Sequence, residues 1–127
     1  MNLSDVIEAH RSWKTRFRVA MGTREPLDVE RIASDRHCEL GAWLHAENGA
    51  ASRLDPDARR QCVECHIEFH RRAGAIAEAV NEGRLMDAER MLAAETPYAD
   101  ASRKLAVALT ALVRLMPAGS ASHSLDR

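Results

Sequence analysis

Residues 55–81 read DPDARRQCVECHIEFHRRAGAIAEAVN, and this stretch decides the fold. Asp55 has the side chain of a helix N-cap, and Pro56 follows at the first helical position, where a missing N–H leaves no bond unmade. Val63, His66, His70, Ala73, Ala77 and Val80 then recur at spacings of three, four, three, four and three. That is the inner seam of a helix packed against other helices. The helix is predicted to run to Asn81, with Gly83 just beyond it as a stop. Two histidines occupy seam positions where a core ordinarily takes Leu or Val.

The same period recurs on both sides. Upstream, Ser4 is a suitable N-cap with Asp5 in the first turn, and a helix is predicted from there to Gly22. Its seam is Val6, His10, Trp13, Phe17 and Ala20, so His10 also lies on a buried line. Glu25-Pro26 breaks the chain, and Asp28 caps a short turn through Ile32. A second helix is predicted from Asp35 to Glu47, ending at Asn48-Gly49. Downstream, a short helix from Met86 to Ala94 precedes a restart at Thr96-Pro97. The last helix runs to Leu115 with Leu105, Leu109 and Leu112 inward, and Pro117 follows. Alanine, the best helix former, occurs 22 times, whereas aromatic residues make up only 4% of the chain. No alternating strand pattern is present. The expected fold is all-α: an antiparallel four-helix bundle of helices about 20 residues long, with an extra short helix before the last. It spans residues 1–117, and residues 118–127 are a small polar tail.

Composition narrows the partners. The 127 residues carry 18 basic and 19 acidic side chains, for a net charge of -1. No broad positive field is available for nucleic acid or an anionic membrane. The longest apolar run, Leu105 to Val113, is nine residues, far short of the roughly 18 needed for a span. The N-terminus lacks the basic start and apolar stretch of a signal peptide. A cytoplasmic protein is expected, whose three cysteines are thiols or metal ligands rather than disulfides.

The histidines carry the chemistry. His66 and His70 are one helical turn apart on one face, near enough for two imidazoles to converge on a single zinc. Alone, such a pair is more often a surface accident or two hydrogen-bonded core residues, and a single seam histidine such as His10 is usually a core residue with a satisfied nitrogen. Together, three imidazoles on the inner seams of two helices are costly to bury without partners, and one shared metal satisfies all three. The residues leave the fourth ligand open. Cys38 lies one turn from Gly41, which admits a close neighbouring helix, but a small buried thiol also fits there. Cys62 is one turn from His66 and a candidate resolving thiol or substitute ligand, whereas packing explains both Cys62 and Cys65. Glu68 is displaced by one position from the register of a zincin's glutamate and reads as a solvated charge. His37 and His45 are expected to be exposed, and His123 falls in the tail.

Three motifs in order resemble the chemoreceptor zinc-binding (CZB) domain family. They are His10-Arg11-Ser12-Trp13, Cys38-Glu39-Leu40-Gly41-Ala42-Trp43 and His66-Ile67-Glu68-Phe69-His70. The resemblance extends over roughly residues 5–115. It implies one Zn2+ held by His10, Cys38, His66 and His70, with Trp13, Gly41 and Trp43 supporting the site. It further implies a sensory module of a soluble chemoreceptor or a diguanylate cyclase. Such modules respond to zinc, and in some members to hypochlorous acid through the cysteine, which makes Cys38 a candidate redox residue. Cys62 lies outside the family motif and is a second candidate only through its place one turn from His66. Many members pair as homodimers and control an attached output domain. The Met1 start reads as that of an N-terminal module or a small free-standing protein. Four protein ligands close a tetrahedral zinc and leave no position for a reacting water, so no enzymatic activity is expected. Two other readings of the histidines remain: a hemerythrin-like di-iron carrier, and a metal-free structural bundle.

Overall fold

The computed structural model describes residues 2–46 and 49–115. Among these residues there are helices and connections and no strand. Seven α-helices follow one another: α1 Leu3–Arg11, α2 Trp13–Thr23, α3 Val29–Ala33, α4 Glu39–His45, α5 Pro56–Asn81, α6 Leu85–Met91 and α7 Pro97–Leu115. Two 3-10 turns, Asp35–His37 and Ala50–Arg53, flank α4. The all-α expectation holds. No described helix is long and apolar enough to cross a membrane.

The longest helix, α5, has the predicted bounds because its signals are strong and local. Asp55 Oδ2 accepts from the Ala58 N–H at 3.0 Å, and Pro56 opens the first turn. At the other end the chain turns at Gly83, whose φ of 76° suits a residue without a side chain. Of the predicted seam, His66, His70, Ala73, Ala77 and Val80 are buried and Val63 is half-buried. Cys62, Phe69 and Ile76 are buried as well, which widens the stripe. The helix α7 lies against α5 and supplies Leu105, Leu109 and Leu112 to the shared core.

The single N-terminal helix of the sequence reading is two helices. Its cap is Asn2, not Ser4: Asn2 Oδ1 accepts from the Ser4 and Asp5 N–H groups at 2.8 and 3.4 Å. At Ser12, where α1 ends and α2 begins, the hydroxyl donates to the Ala9 carbonyl at 2.7 Å, a back-bond that competes with the helical ladder. Backbone bonds still cross the junction, from Ser12 N to Glu8 O and from Arg16 N to Ser12 O. The end is shifted too. Gly22 stays helical, and Arg24 takes the left-handed cap conformation at φ 64°. The chain after it is clamped to α5, where Asn81 Oδ1 accepts from Leu27 N at 2.8 Å and Asn81 Nδ2 donates to Leu27 O at 2.7 Å.

The largest departure is the second rod. No helix runs from Asp35 to Glu47; the segment is a 3-10 turn, an extended residue at Cys38 and the short α4. Ser34 and Cys38 each cap a new start, so the chain changes direction where uninterrupted periodicity predicted one helix. The predicted stop at Asn48 and the tail at residues 118–127 lie outside the described residues, as do Glu47, Pro117 and His123.

Close approach of α3 to α5 depends on Gly74. A Cβ there would fall 2.5 Å from Ala33 Cβ and 3.0 Å from Ala33 Cα. Gly74→Ala would gain up to about 1 kcal/mol of helix propensity at an open site. Here overpacking opposes it at about 1–3 kcal/mol, so a net loss of stability is expected by urea unfolding. A gain would show that α3 does not press on α5 at this point.

Candidate metal centre

His10 comes from α1, Cys38 from the turn before α4, and His66 and His70 from α5. The four ligating atoms all lie within 4.8 Å of one another. His10 Nε2 is 3.3 Å from His66 Nε2, and Cys38 Sγ is 3.2 Å from His66 Nε2 and 3.6 Å from His70 Nε2. A tetrahedral zinc with bonds of about 2.0–2.1 Å to nitrogen and about 2.3 Å to sulfur needs edges of about 3.3 Å and about 3.6 Å. The three rings are steeply inclined to one another, at 72°, 88° and 90°, so they meet edge to face and do not stack. The three histidines are buried and Cys38 is half-buried.

Outer contacts fix which way two of the rings face. His10 Nδ1 donates to the Val6 carbonyl at 2.8 Å, one turn back on its own helix. His70 Nδ1 donates to the Ile32 carbonyl of α3 at 2.9 Å. A carbonyl only accepts, so both Nδ1 atoms carry the proton and both Nε2 atoms turn bare lone pairs inward. His66 Nδ1 is buried with no partner. The centre is therefore rich in acceptors, with few protons to share among them. A cation at the common point satisfies this donor set, and three imidazoles with one thiol suit zinc.

Cys38 reaches the cluster because it is not helical. At φ -117° and ψ 162° it is the N-cap of α4, and its Sγ accepts from the Gly41 N–H at 3.4 Å. Gly41 makes this turn possible, although not by admitting a neighbouring helix. A Cβ at Gly41 would fall 1.7 Å from the Asp35 carbonyl oxygen, so it is the chain's own preceding turn that folds back onto it. Asp35 Oδ2 also meets His45 Nε2 at 2.9 Å, which ties the 3-10 turn to the end of α4. His45 is thus half-buried and paired rather than exposed; His37 is exposed.

Electrostatics favour neutral rings and a protonated thiol before any metal enters. Burial pushes His10 and His70 below the ordinary imidazole value, against the opposing bonds to Val6 and Ile32. His66 is pushed down to about 2, by burial first and then by His70 and His10. Burial raises the Cys38 thiol, outweighing the Gly41 and Leu40 amides that favour the thiolate. Metal binding then displaces one proton, from sulfur.

The other candidates stand apart. Cys62 does not join the cluster; it is fully buried, and burial pushes its thiol up to about 12, which suits packing. Cys65 is half-buried outside the cluster. Glu68 turns to Arg71 and Arg72, at 3.0 and 2.6 Å. Trp13 lies beside His10 along a cavity at the site, whereas Trp43 packs against the core and does not line that cavity. No sequence signal marked the Ile32 carbonyl or the Asp35–His45 pair: the first is main chain of α3 meeting a residue 38 positions away, and the second depends on the non-helical turn before α4. Phe69, whose ring centroid is 5.2 Å from that of His10, was visible only as the aromatic inside His-x-x-x-His.

The sequence profile of the Chemoreceptor zinc-binding domain family matches residues 10–77. The chain belongs to that family. The matched span runs from His10 to Ala77, contains all four clustered residues and is shorter than the resemblance read from the motifs. No curated protein and no solved structure matches the chain. This CZB domain therefore combines membership of a zinc-binding family with a metal-capable His3Cys cluster.

Three buried neutral imidazoles make the metal-free fold acid-sensitive. Their folded pKa values lie below the unfolded value of about 6.5, so the unfolded state binds more protons below that pH. Stability is then full above about pH 7 and falls as the pH drops, by up to about 1.4 kcal/mol per pH unit for each imidazole. Urea unfolding in chelator at a series of pH values from 7.5 to about 5 checks this. A flat profile would mean that the rings protonate freely in the fold.

Proposed function

We propose that this CZB domain is a zinc-loaded sensory module that holds the ion through His10, Cys38, His66 and His70. The observation that carries the reading is the convergence of four ligating atoms from three separate segments, two of them with their outer nitrogens tied to backbone carbonyls. In this reading the α1–α2 pair, the α3–α4 string, α5 and α7 act as a four-member antiparallel bundle, closed at one level by the metal. Zinc, when bound, supplies a charge that keeps Cys38 as thiolate and leaves the site at about +1.

The residues around it give two ways to signal. Loss of the ion leaves buried lone pairs facing one another and loosens α1, the Cys38 turn and α5 together. Oxidation of Cys38 removes one ligand and frees the turn before α4, whose conformation rests on the Sγ···H–N bond from Gly41. We infer a regulatory rather than catalytic role, because four protein ligands leave no open position for a reacting water. The output, in cis or in trans, is a chemoreceptor or diguanylate cyclase domain, and the module is expected to work as a homodimer in the cytoplasm. A hemerythrin-like di-iron centre would need bridging carboxylates, and among the described residues none joins the cluster.

Protein purified without added metal is expected to contain one zinc per chain. Cys38→Ala or His70→Ala should lower zinc affinity at least a hundredfold in a chelator competition. Unchanged affinity in either variant would overturn the ligand assignment. Between about pH 7 and 9, affinity should fall about tenfold per unit decrease in pH, since one thiol proton is displaced and the imidazoles have none to lose. A calorimetric count of two or more protons released would contradict the neutral rings.

A further inference from the structure

A cavity of about 440 Å3 opens beside the cluster, and His10, Cys38 and His70 form part of its wall. Trp13, Leu27 and Ile32 give it an apolar lining. Its charged lining is unequal. Arg16 and Arg31 are both exposed, and neither forms an ion pair among the described residues. The Arg16 guanidinium carbon sits 3.8 Å from the Trp13 ring centroid, which holds that charge at the wall. Asp28 is the one acid of the lining. Asp28 is already engaged as the N-cap of α3, accepting from the Arg31 N–H at 3.2 Å. The acids nearest Cys38 in sequence, Asp35 and Glu39, act on the thiol by charge but do not line the cavity that a reagent would enter.

We propose that this cavity is the port through which solvent reagents reach Cys38, and that Arg16 and Arg31 make it selective for anionic thiol reagents over neutral ones. The inference deepens the sensory reading of Cys38, but its test needs no bound metal. Coulomb attraction from two exposed cations on the wall of one cavity, partly screened by water, corresponds to about a three- to tenfold preference for an anion. The chemical step is thiol–disulfide exchange. The Cys38 thiol loses its proton to buffer, and the thiolate attacks one sulfur of a reagent disulfide. A mixed disulfide forms, the reagent S–S bond breaks, and the electron pair leaves with the departing thiolate.

The experiment uses the full chain in chelator, with Cys62→Ala and Cys65→Ala so that Cys38 is the only thiol. Rates are measured with 5,5′-dithiobis(2-nitrobenzoate), which is dianionic, and with neutral 2,2′-dithiodipyridine. The ratio of the two rates is the readout, because a change in thiolate fraction moves both rates equally. Arg16→Glu and Arg31→Glu should each lower the ratio about three- to tenfold. Arg31→Lys should keep it, and 0.5 M salt should shrink the wild-type ratio toward that of the charge-reversed variants. A ratio untouched by both reversals, including an equal fall of both rates, overturns the proposal. Should the doubly replaced chain not fold, the ratio is read on the wild-type protein from the labelled Cys38 peptide by mass spectrometry. Zinc content, measured on the same preparations, reports separately on the metal reading.

Discussion

Everything in this domain turns on burying three imidazoles, two of which turn inward a nitrogen that has no proton to offer. The carbonyls of Val6 and Ile32 commit His10 and His70 to one tautomer, and the lone pairs that result must face something positive or remain unsatisfied. The core around them is ordinary: Phe17, Phe69, Ile76, Leu105 and Leu109 fill it and drive collapse. Placing a polar knot inside such a core is destabilising unless the knot is tied, so occupancy and fold are linked. In the sensory role proposed above, that link is what would couple an ion to a shape.

The sulfur is held by a different logic. Imidazoles sit on helices whose geometry fixes their spacing, whereas Cys38 sits in a turn whose shape depends on contacts between backbone atoms. Gly41 lets the Asp35 carbonyl come to where a methyl group would otherwise be, and the Asp35–His45 pair holds the ends of the turn together. A ligand mounted on a turn of this kind can move without unpacking a long helix. The sulfur therefore belongs to the one ligating segment that is not a helix.

The long helices and the three histidines were legible in the sequence because their signals are local. A cap, a proline and a three-four spacing specify α5, and the same spacing puts His10, His66 and His70 on inner seams. The Cys38 segment was not legible, since its turn is imposed by contacts between residues several positions apart, and helix propensity over Asp35 to Glu47 concealed it. Cys38 entered as a ligand through a motif resemblance rather than through periodicity. The division at Ser12 is hidden for a related reason: a hydroxyl that back-bonds to Ala9 looks, in sequence, like any other helical serine.

His66 differs from its two companions in having no tether of its own. Its outer nitrogen finds no partner, and its orientation comes from the rings on either side, with centroids at 5.2 Å to His10 and 4.5 Å to His70. Two rings are moored to the main chain and the third is wedged between them. Disturbing either mooring frees the wedge as well, so the site comes apart as a unit rather than ligand by ligand. Release of that kind passes between a whole centre and none, with no half-assembled cage in between.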